Sequence, residues 1–245
     1  KSRKKIYVCL PEKKPDLCPV LFMHDGHNLF FPEDSFSGKT WRVRETLDEI
    51  RERTGRTLAI VGISADENRF DEYSPWKADD FYAYADPGWG NHPGGKGDLY
   101  LDWLANDFMP LILEKYGPFG PNMMAGSSMG GFISLYAGYK FRGLFSKIGV
   151  FSPALWFNER KMTEFIEANF DPDLGVYLSI GKKEGGSRKR TDFPEIYLDG
   201  ARNLRDLLKK LGTSDLCYVE DRNGLHSETS WARRFPGFVE WALRT

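Results

Sequence analysis

Six consecutive residues, Leu58-Ala59-Ile60-Val61-Gly62-Ile63, leave no polar face for water. A strand of this kind is buried on both sides, and that environment belongs to a parallel sheet covered by helices on both faces. The same reading applies to residues 20–23, 145–151 and 176–180, with shorter strands at 6–10, where Pro11 ends the run, and at 216–219. Helical stripes fall between them. Thr40 is placed to cap a helix carrying Val43, Leu47 and Ile50, with Gly55 after its end. Asp98 opens another with Leu101, Leu104, Phe108, Leu111 and Ile112 on one face and an expected kink at Pro110. Further helices are expected over 132–139, over 159–168, from about Ile196 through Leu204, Leu208 and Leu211 to Gly212, and along Trp231, Phe235, Phe238, Val239 and Ala242. The expected architecture is a single α/β domain over residues 1–245, with a mostly parallel central sheet and helices on both faces.

In the middle of this alternation stands Gly126-Ser127-Ser128-Met129-Gly130, directly after the apolar approach Asn122-Met123-Met124-Ala125. A G-x-S-x-G segment between a strand and a helix is the pattern of a nucleophile elbow. Small residues let the chain turn sharply enough to present the serine hydroxyl at the tip. Five residues are too few to decide the matter, so the remaining members of a catalytic set must be found.

A neutral hydroxyl is a poor nucleophile and needs a base, with a carboxylate to orient that base. Where the serine sits on such an elbow, the acid and then the histidine follow it along the chain. His226, in Asn223-Gly224-Leu225-His226-Ser227, has this order, whereas His24 and His27 precede the serine and His92 lies in a long loop. Glu184 follows the strand at 176–180 and is the favoured acid; Asp192 is its main competitor, with Asp199 and Asp221 also available. Two backbone amides must meet the developing oxyanion. One is assigned to Met129, at the start of the following helix, and the other to His27 in the loop after the strand at 20–23, where Gly26 permits the turn.

With 34 Lys and Arg against 35 Asp and Glu, the net charge of −1 gives no electrostatic footprint for nucleic acid or an acidic membrane. No apolar run is long enough to span a bilayer. Cys9, Cys18 and Cys217 fall in no C-x-x-C spacing, so neither a disulfide framework nor a zinc site is indicated and a reducing, cytoplasmic compartment is expected. The basic start Lys1-Ser2-Arg3-Lys4-Lys5 is followed by too short an apolar stretch for a signal peptide, and the lack of an initial Met leaves room for a removed N-terminal segment. Residues 64–97 read as a long irregular loop in which Trp89 and His92 could wall a substrate.

Five segments together resemble the putative-esterase branch of the α/β-hydrolases, which includes S-formylglutathione hydrolases, enterochelin esterases, feruloyl and acetylxylan esterases and mycolyltransferases. They are Met23-His24-Asp25-Gly26-His27-Asn28-Leu29-Phe30, Arg69 with Glu72-Tyr73-Ser74-Pro75, Gly126 to Gly131, Phe151-Ser152-Pro153-Ala154-Leu155-Trp156, and Gly224-Leu225-His226-Ser227 with Trp231. The resemblance implies an α/β-hydrolase fold, Ser128 as nucleophile, His226 as base, Glu184 as acid, and the amides of His27 and Met129 as oxyanion hole. It also puts Asp25 and Trp156 at the substrate pocket. Relatives often carry Gln where this chain has His27, a change that alters the pocket more than a main-chain donor. The implied activity is hydrolysis of a small-molecule or carbohydrate ester, acetyl or feruloyl by preference, with no cofactor or metal. Acyl transfer, siderophore-lactone or thioester hydrolysis, and a non-catalytic binding role are the alternatives.

Overall fold

The computed structural model describes residues 3–79, 93–184 and 192–244. Seven strands form one sheet: β1 (Ile6–Cys9), β2 (Cys18–His24), β3 (Ala59–Ile63), β4 (Phe119–Ser127), β5 (Lys147–Phe151), β6 (Gly175–Lys183) and β7 (Leu216–Leu225). Their spatial order is β1-β3-β2-β4-β5-β6-β7. β1 pairs antiparallel with β3, and every other neighbouring pair is parallel. The fold is therefore the mostly parallel α/β sheet that the apolar runs imply, with one antiparallel strand at its edge.

The pleat sorts side chains into two cores, because successive residues of a strand point to opposite faces. On one face Val20, Phe22, Val61, Met124, Ile148, Val150, Val176 and Leu178 pack under α3 (Gly97–Trp103), α4 (Met109–Tyr116), α5 (Met129–Lys140), α6 (Glu159–Asn169) and α7 (Phe193–Leu211). On the other, Leu21, Met23, Ile60, Met123, Phe151 and Tyr177 pack under α1 (Val43–Thr54) and α8 (Glu228–Ala242). A short helix, α2 (Arg69–Glu72), interrupts the segment expected to be irregular; Trp89 and His92 lie outside the described residues.

Three local expectations are corrected. Arg42, not Thr40, occupies the N-cap of α1, in a left-handed conformation with φ 52°, while the Thr40 hydroxyl accepts the Arg42 N–H and closes a turn before the helix. Pro110 lies inside a run that is helical from Gly97 to Tyr116, just after a π-turn over Leu104–Phe108, and it is this wider turn before it that accommodates a residue with no N–H to donate. That extra residue rotates the stripe: Ile112 stays buried, but Leu111 is 62% exposed instead of facing the core. Phe238, by contrast, is fully buried against Phe151, Tyr177 and Trp241. Phe238→Ala should lower unfolding free energy by about 3–5 kcal/mol, and Leu111→Ala by no more than about 0.5 kcal/mol, in urea titrations. Equal losses would contradict this assignment of the two side chains.

Candidate active site

The carboxyl ends of the parallel strands gather the residues singled out in the sequence, as expected for open α/β sheets. His24 ends β2 and Asp25 follows it, Ser128 follows β4, Ser152 follows β5, Glu184 follows β6 and His226 follows β7.

Ser128 adopts φ 56° and ψ −122°, between the last residue of β4 and the first of α5. A non-glycine residue there costs roughly 1–3 kcal/mol and is held only by its surroundings. The hold is visible on both sides. The Ser128 N–H donates to Phe151 O at 3.0 Å, and its carbonyl accepts from Phe132 N at 3.0 Å and Ala154 N at 3.1 Å. A Cβ added at Gly126 would stand 2.6 Å from the Gly130 carbonyl carbon, so the tight return of the helix over the strand requires glycine. Ser128 is half-exposed, and its hydroxyl makes no hydrogen bond with a described residue. Contacts between nucleophile and base are commonly long in uncomplexed enzymes and tighten with substrate.

The carboxylate of Glu184 is fully buried. Oε1 accepts the Ser152 hydroxyl and the Gly181 N–H, both at 2.6 Å, and lies 3.6 Å from the Arg234 guanidinium. Oε2 lies 2.8 Å from His226 Nδ1. Burial pushes the carboxyl pKa up, but the His226 hydrogen bond and charge, the Ser152 hydroxyl and Arg234 outweigh it and hold Glu184 below its ordinary value. An ionised carboxylate can only accept, so Nδ1 carries the proton and Nε2 is left as the acceptor. Ser152 is itself at φ 43° and accepts from Trp231 Nε1 and Arg234, each at 3.0 Å. Gly181 and Gly224 bring the acid and histidine loops together: a Cβ at Gly181 would stand 2.4 Å from Gly224 O.

Of the four acidic residues weighed in the sequence, Glu184 meets the His226 ring. Asp192 is the exposed N-cap of α7 and Asp199 is an exposed residue within that helix, while Asp221 binds Arg233 and the Asn223 N–H. Sequence reasoning did not single out Arg234. Its signal was a cation three residues after Trp231 and one before Phe235, on the apolar stripe of α8, where a charge must find a buried partner.

After β2 the chain makes a 3₁₀ turn over Gly26–Asn28, opened by Asp25 in the left-handed region at φ 55°. The turn hydrogen bonds come from Asn28 N and Leu29 N; the His27 amide donates none among the described residues. Met129 N is the first amide of α5 and has no partner within its helix. The two segments touch, since a Cβ at Gly130 would lie 3.1 Å from His24 Cβ and 3.2 Å from Asp25 Oδ2. Both Asp25 oxygens are engaged by Arg69, at 2.8 and 2.7 Å. Burial raises the Asp25 carboxyl, but the charge and hydrogen bonds of Arg69 dominate and hold it low. Trp156, in a 3₁₀ turn over Leu155–Phe157, is half-buried and packs on Phe193 and Tyr197, and Tyr197 in turn on the His226 ring at 4.9 Å.

Residues 1–242 match the family described as Putative esterase. The chain belongs to this esterase family. It is a carboxylic ester hydrolase by that membership. An uncharacterized protein of Bacillus subtilis, YbbA, is 29% identical over 233 residues, covering 91% of this chain and 84% of its own. Among solved structures, the BES protein from Bacillus cereus superposes with a TM-score of 0.75 at 19% identity, covering 99% of this esterase and 91% of that chain. Siderophore hydrolase EstA from Aspergillus nidulans superposes with 0.70 at 18% identity, covering 98% and 91%. These likenesses establish a shared fold. Among the described residues of the esterase, no three His, Cys, Asp or Glu side chains are grouped to hold a metal ion, and no helix is long and apolar enough to cross a membrane.

His24 is only 3% exposed, and burial, which outweighs the opposing pull of Asp25 and is helped by Arg69 and Lys4, lowers its pKa to about 3. The folded state therefore binds the proton less readily than the unfolded chain, whose value is 6.5. The stabilisation is fully present above pH 6.5 and is lost as pH falls toward about 3. Between those values His24 should add a slope of up to about 1.4 kcal/mol per pH unit to the unfolding free energy. Urea midpoints across that range should fall less steeply for His24→Gln; an unchanged slope would refute the neutral buried state.

Proposed function

We propose that the protein is a serine esterase working through a Ser128–His226–Glu184 triad and an acyl-enzyme. The observation that carries this reading is the Glu184–His226 contact at 2.8 Å, which leaves Nε2 as the acceptor, at the same carboxyl end of the sheet as a serine held at positive φ. In the proposed mechanism Ser128 Oγ attacks the ester carbonyl carbon as its proton passes to His226 Nε2. The oxyanion is met by the amides of Met129 and His27, where the α5 dipole adds positive potential. Collapse of the intermediate breaks the ester C–O bond, and His226 gives its proton to the departing alkoxide. Water, deprotonated by His226, then attacks the acyl carbon; the bond from that carbon to Ser128 Oγ breaks, and His226 returns the proton to Oγ, releasing the acid and free Ser128.

For the substrate we propose a small-molecule or carbohydrate ester, with an acetyl or feruloyl group as the favoured acyl part. The half-buried Trp156 beside Tyr197 and His226 supports an aromatic or sugar-bearing group there, with Asp25 at the opposite, β2 side of the serine. Rates on acetyl, feruloyl, lactone and thioester substrates should differ by orders of magnitude and so identify the class. Addition of an excess alcohol separates hydrolysis from acyl transfer. The free acid should remain the main product, and a dominant transfer ester would convert the assignment to an acyltransferase.

Ser128→Ala should reduce kcat on p-nitrophenyl acetate by about 10⁴-fold or more, because the triad acts as a unit. Glu184→Gln should cost about 10²-fold or more, whereas Asp192→Asn should leave kcat within about threefold. Retained activity in Ser128→Ala, or the reverse ranking of the two acidic variants, would overturn these roles.

A further inference from the structure

The triad and the oxyanion amides do not by themselves account for the conformation of the turn at Asp25–Asn28. Asp25 holds φ 55° and ψ 44°, a conformation that L-residues other than glycine adopt at a cost. Four contacts confine it. Below, a Cβ at Gly26 would stand 2.5 Å from the Gly62 carbonyl carbon, so the turn lies directly on the end of β3. Above, Gly130 of α5 touches His24 and the Asp25 carboxylate. From the side, the Tyr73 hydroxyl accepts the Asp25 N–H at 3.3 Å, and Arg69 grips both carboxylate oxygens through Nε and Nη2.

Arg69 and Tyr73 come from α2 and its C-cap, a segment with its own anchors. Lys4 pairs with Glu72 at 2.6 Å, and Gly95 N and Gly97 N both donate to Ser74 O at 2.9 Å. The Arg69 guanidinium also lies 5.1 Å from the Tyr73 ring centroid, and Tyr73 is fully buried. Arg69 is thus a fixed strut between the end of β3 and the turn after β2. It does not simply decorate the surface: its side chain is 24% exposed and that of Asp25 8%.

We propose that Arg69 is a positioning residue for the acyl-transfer step, holding Asp25 in the left-handed turn that presents the His27 amide to the oxyanion. The inference rests on the assignment of Ser128 as nucleophile and the His27 amide as donor. Two physical effects act together. A fork of two parallel N–H···O bonds fixes the carboxylate in plane and direction, which a lysine cannot do. The same fork neutralises a carboxylate that lies against Gly130, the second residue of α5. Left unpaired there, that negative charge would repel the oxyanion forming at the Met129 amide. Asp25, bound at both oxygens, acts in this account through the loop.

The consequence is confined to the transition state. Loss of the strut should lower kcat by about 10- to 100-fold, with KM within about threefold, because a small displacement of one donor removes transition-state stabilisation without removing the binding surface. The test compares wild type, Arg69→Ala and Arg69→Lys on p-nitrophenyl acetate, with Asp25→Asn and the Arg69→Ala/Asp25→Asn pair. Guanidinium ion at low millimolar concentration should restore part of kcat to Arg69→Ala and none to wild type. Arg69→Lys should stay well below wild type, and Asp25→Asn should recover part of the loss by removing the stranded charge. If Arg69→Ala does not fold, Arg69→Lys carries the comparison alone.

Phosphonylation of Ser128 by a p-nitrophenyl alkylphosphonate, which also develops charge on an oxygen, supplies a second readout independent of deacylation. Its rate should fall in parallel with kcat. A wild-type enzyme labelled on Ser128, with Arg69 variants labelled and turning over within threefold of it, would overturn the role of Arg69 alone. A wild-type enzyme that turns over substrate without being labelled on Ser128 would overturn the nucleophile assignment and this inference with it. A fall in kcat matched by an equal rise in KM, without guanidinium rescue, would assign Arg69 to ground-state binding instead.

Discussion

The return of β4 into α5 through one residue is the constraint on which the rest depends. Ser128 at φ 56° has no favourable reason of its own to be there. The turn persists because the Ser128 amide and carbonyl are held by β5 and the segment after it, and because glycines at 126, 130 and 131 leave room for backbone against backbone. The same closeness sets the neighbours. Gly130 admits the β2 turn with His24 and Asp25, and Gly131 sits 3.1 Å, measured to an added Cβ, from Phe151 O. A sheet whose central strand ends in such a turn brings the exits of β2 and β5 beside one exposed hydroxyl.

Around that turn lie two buried ionic groups that solve the same problem. Glu184 is stripped of water and compensated by the Ser152 hydroxyl, the Gly181 amide, His226 and Arg234. Asp25 is compensated by a bidentate arginine. A buried charge that loses a partner costs several kcal/mol, so each carboxylate is tied to a fixed geometry. In the proposed mechanism one geometry orients the base and the other orients a donor amide. Ser152 and Arg234 stand behind the first as Arg69 and Tyr73 stand behind the second, which explains why cations and hydroxyls are found in otherwise apolar surroundings at both places.

The sheet was legible from the sequence because burial on both faces writes itself as unbroken apolar runs: all five residues of β3 are buried, as are the last five of β4. The stripe of α8 was legible for the same reason, since Trp231, Phe235, Phe238 and Val239 repeat at helical spacing against one core. The start of α1 was not, because Arg42 reaches the N-cap in a left-handed conformation that no cap preference signals. Nor was the exposure of Leu111, because a π-turn shifts helical phase without changing composition. In the site, the order of Ser128, Glu184 and His226 along the chain pointed to three residues that the structure gathers at the carboxyl end of the strands. The partners of the carboxylates were hidden, since an ion pair between Asp25 and Arg69, 44 positions apart, has no local pattern. Arg234 carried a faint one, a charge within an apolar stripe.

The central claim is that Ser128 becomes covalently acylated during turnover. Mixing the enzyme with p-nitrophenyl acetate, quenching in acid within milliseconds to seconds and mapping the peptides by mass would test it most directly. The account predicts acetyl on the peptide that holds Ser128, rising toward one group per chain as p-nitrophenolate is released. Acetyl trapped at another residue, or full turnover with Ser128 unmodified at every time point, would contradict it.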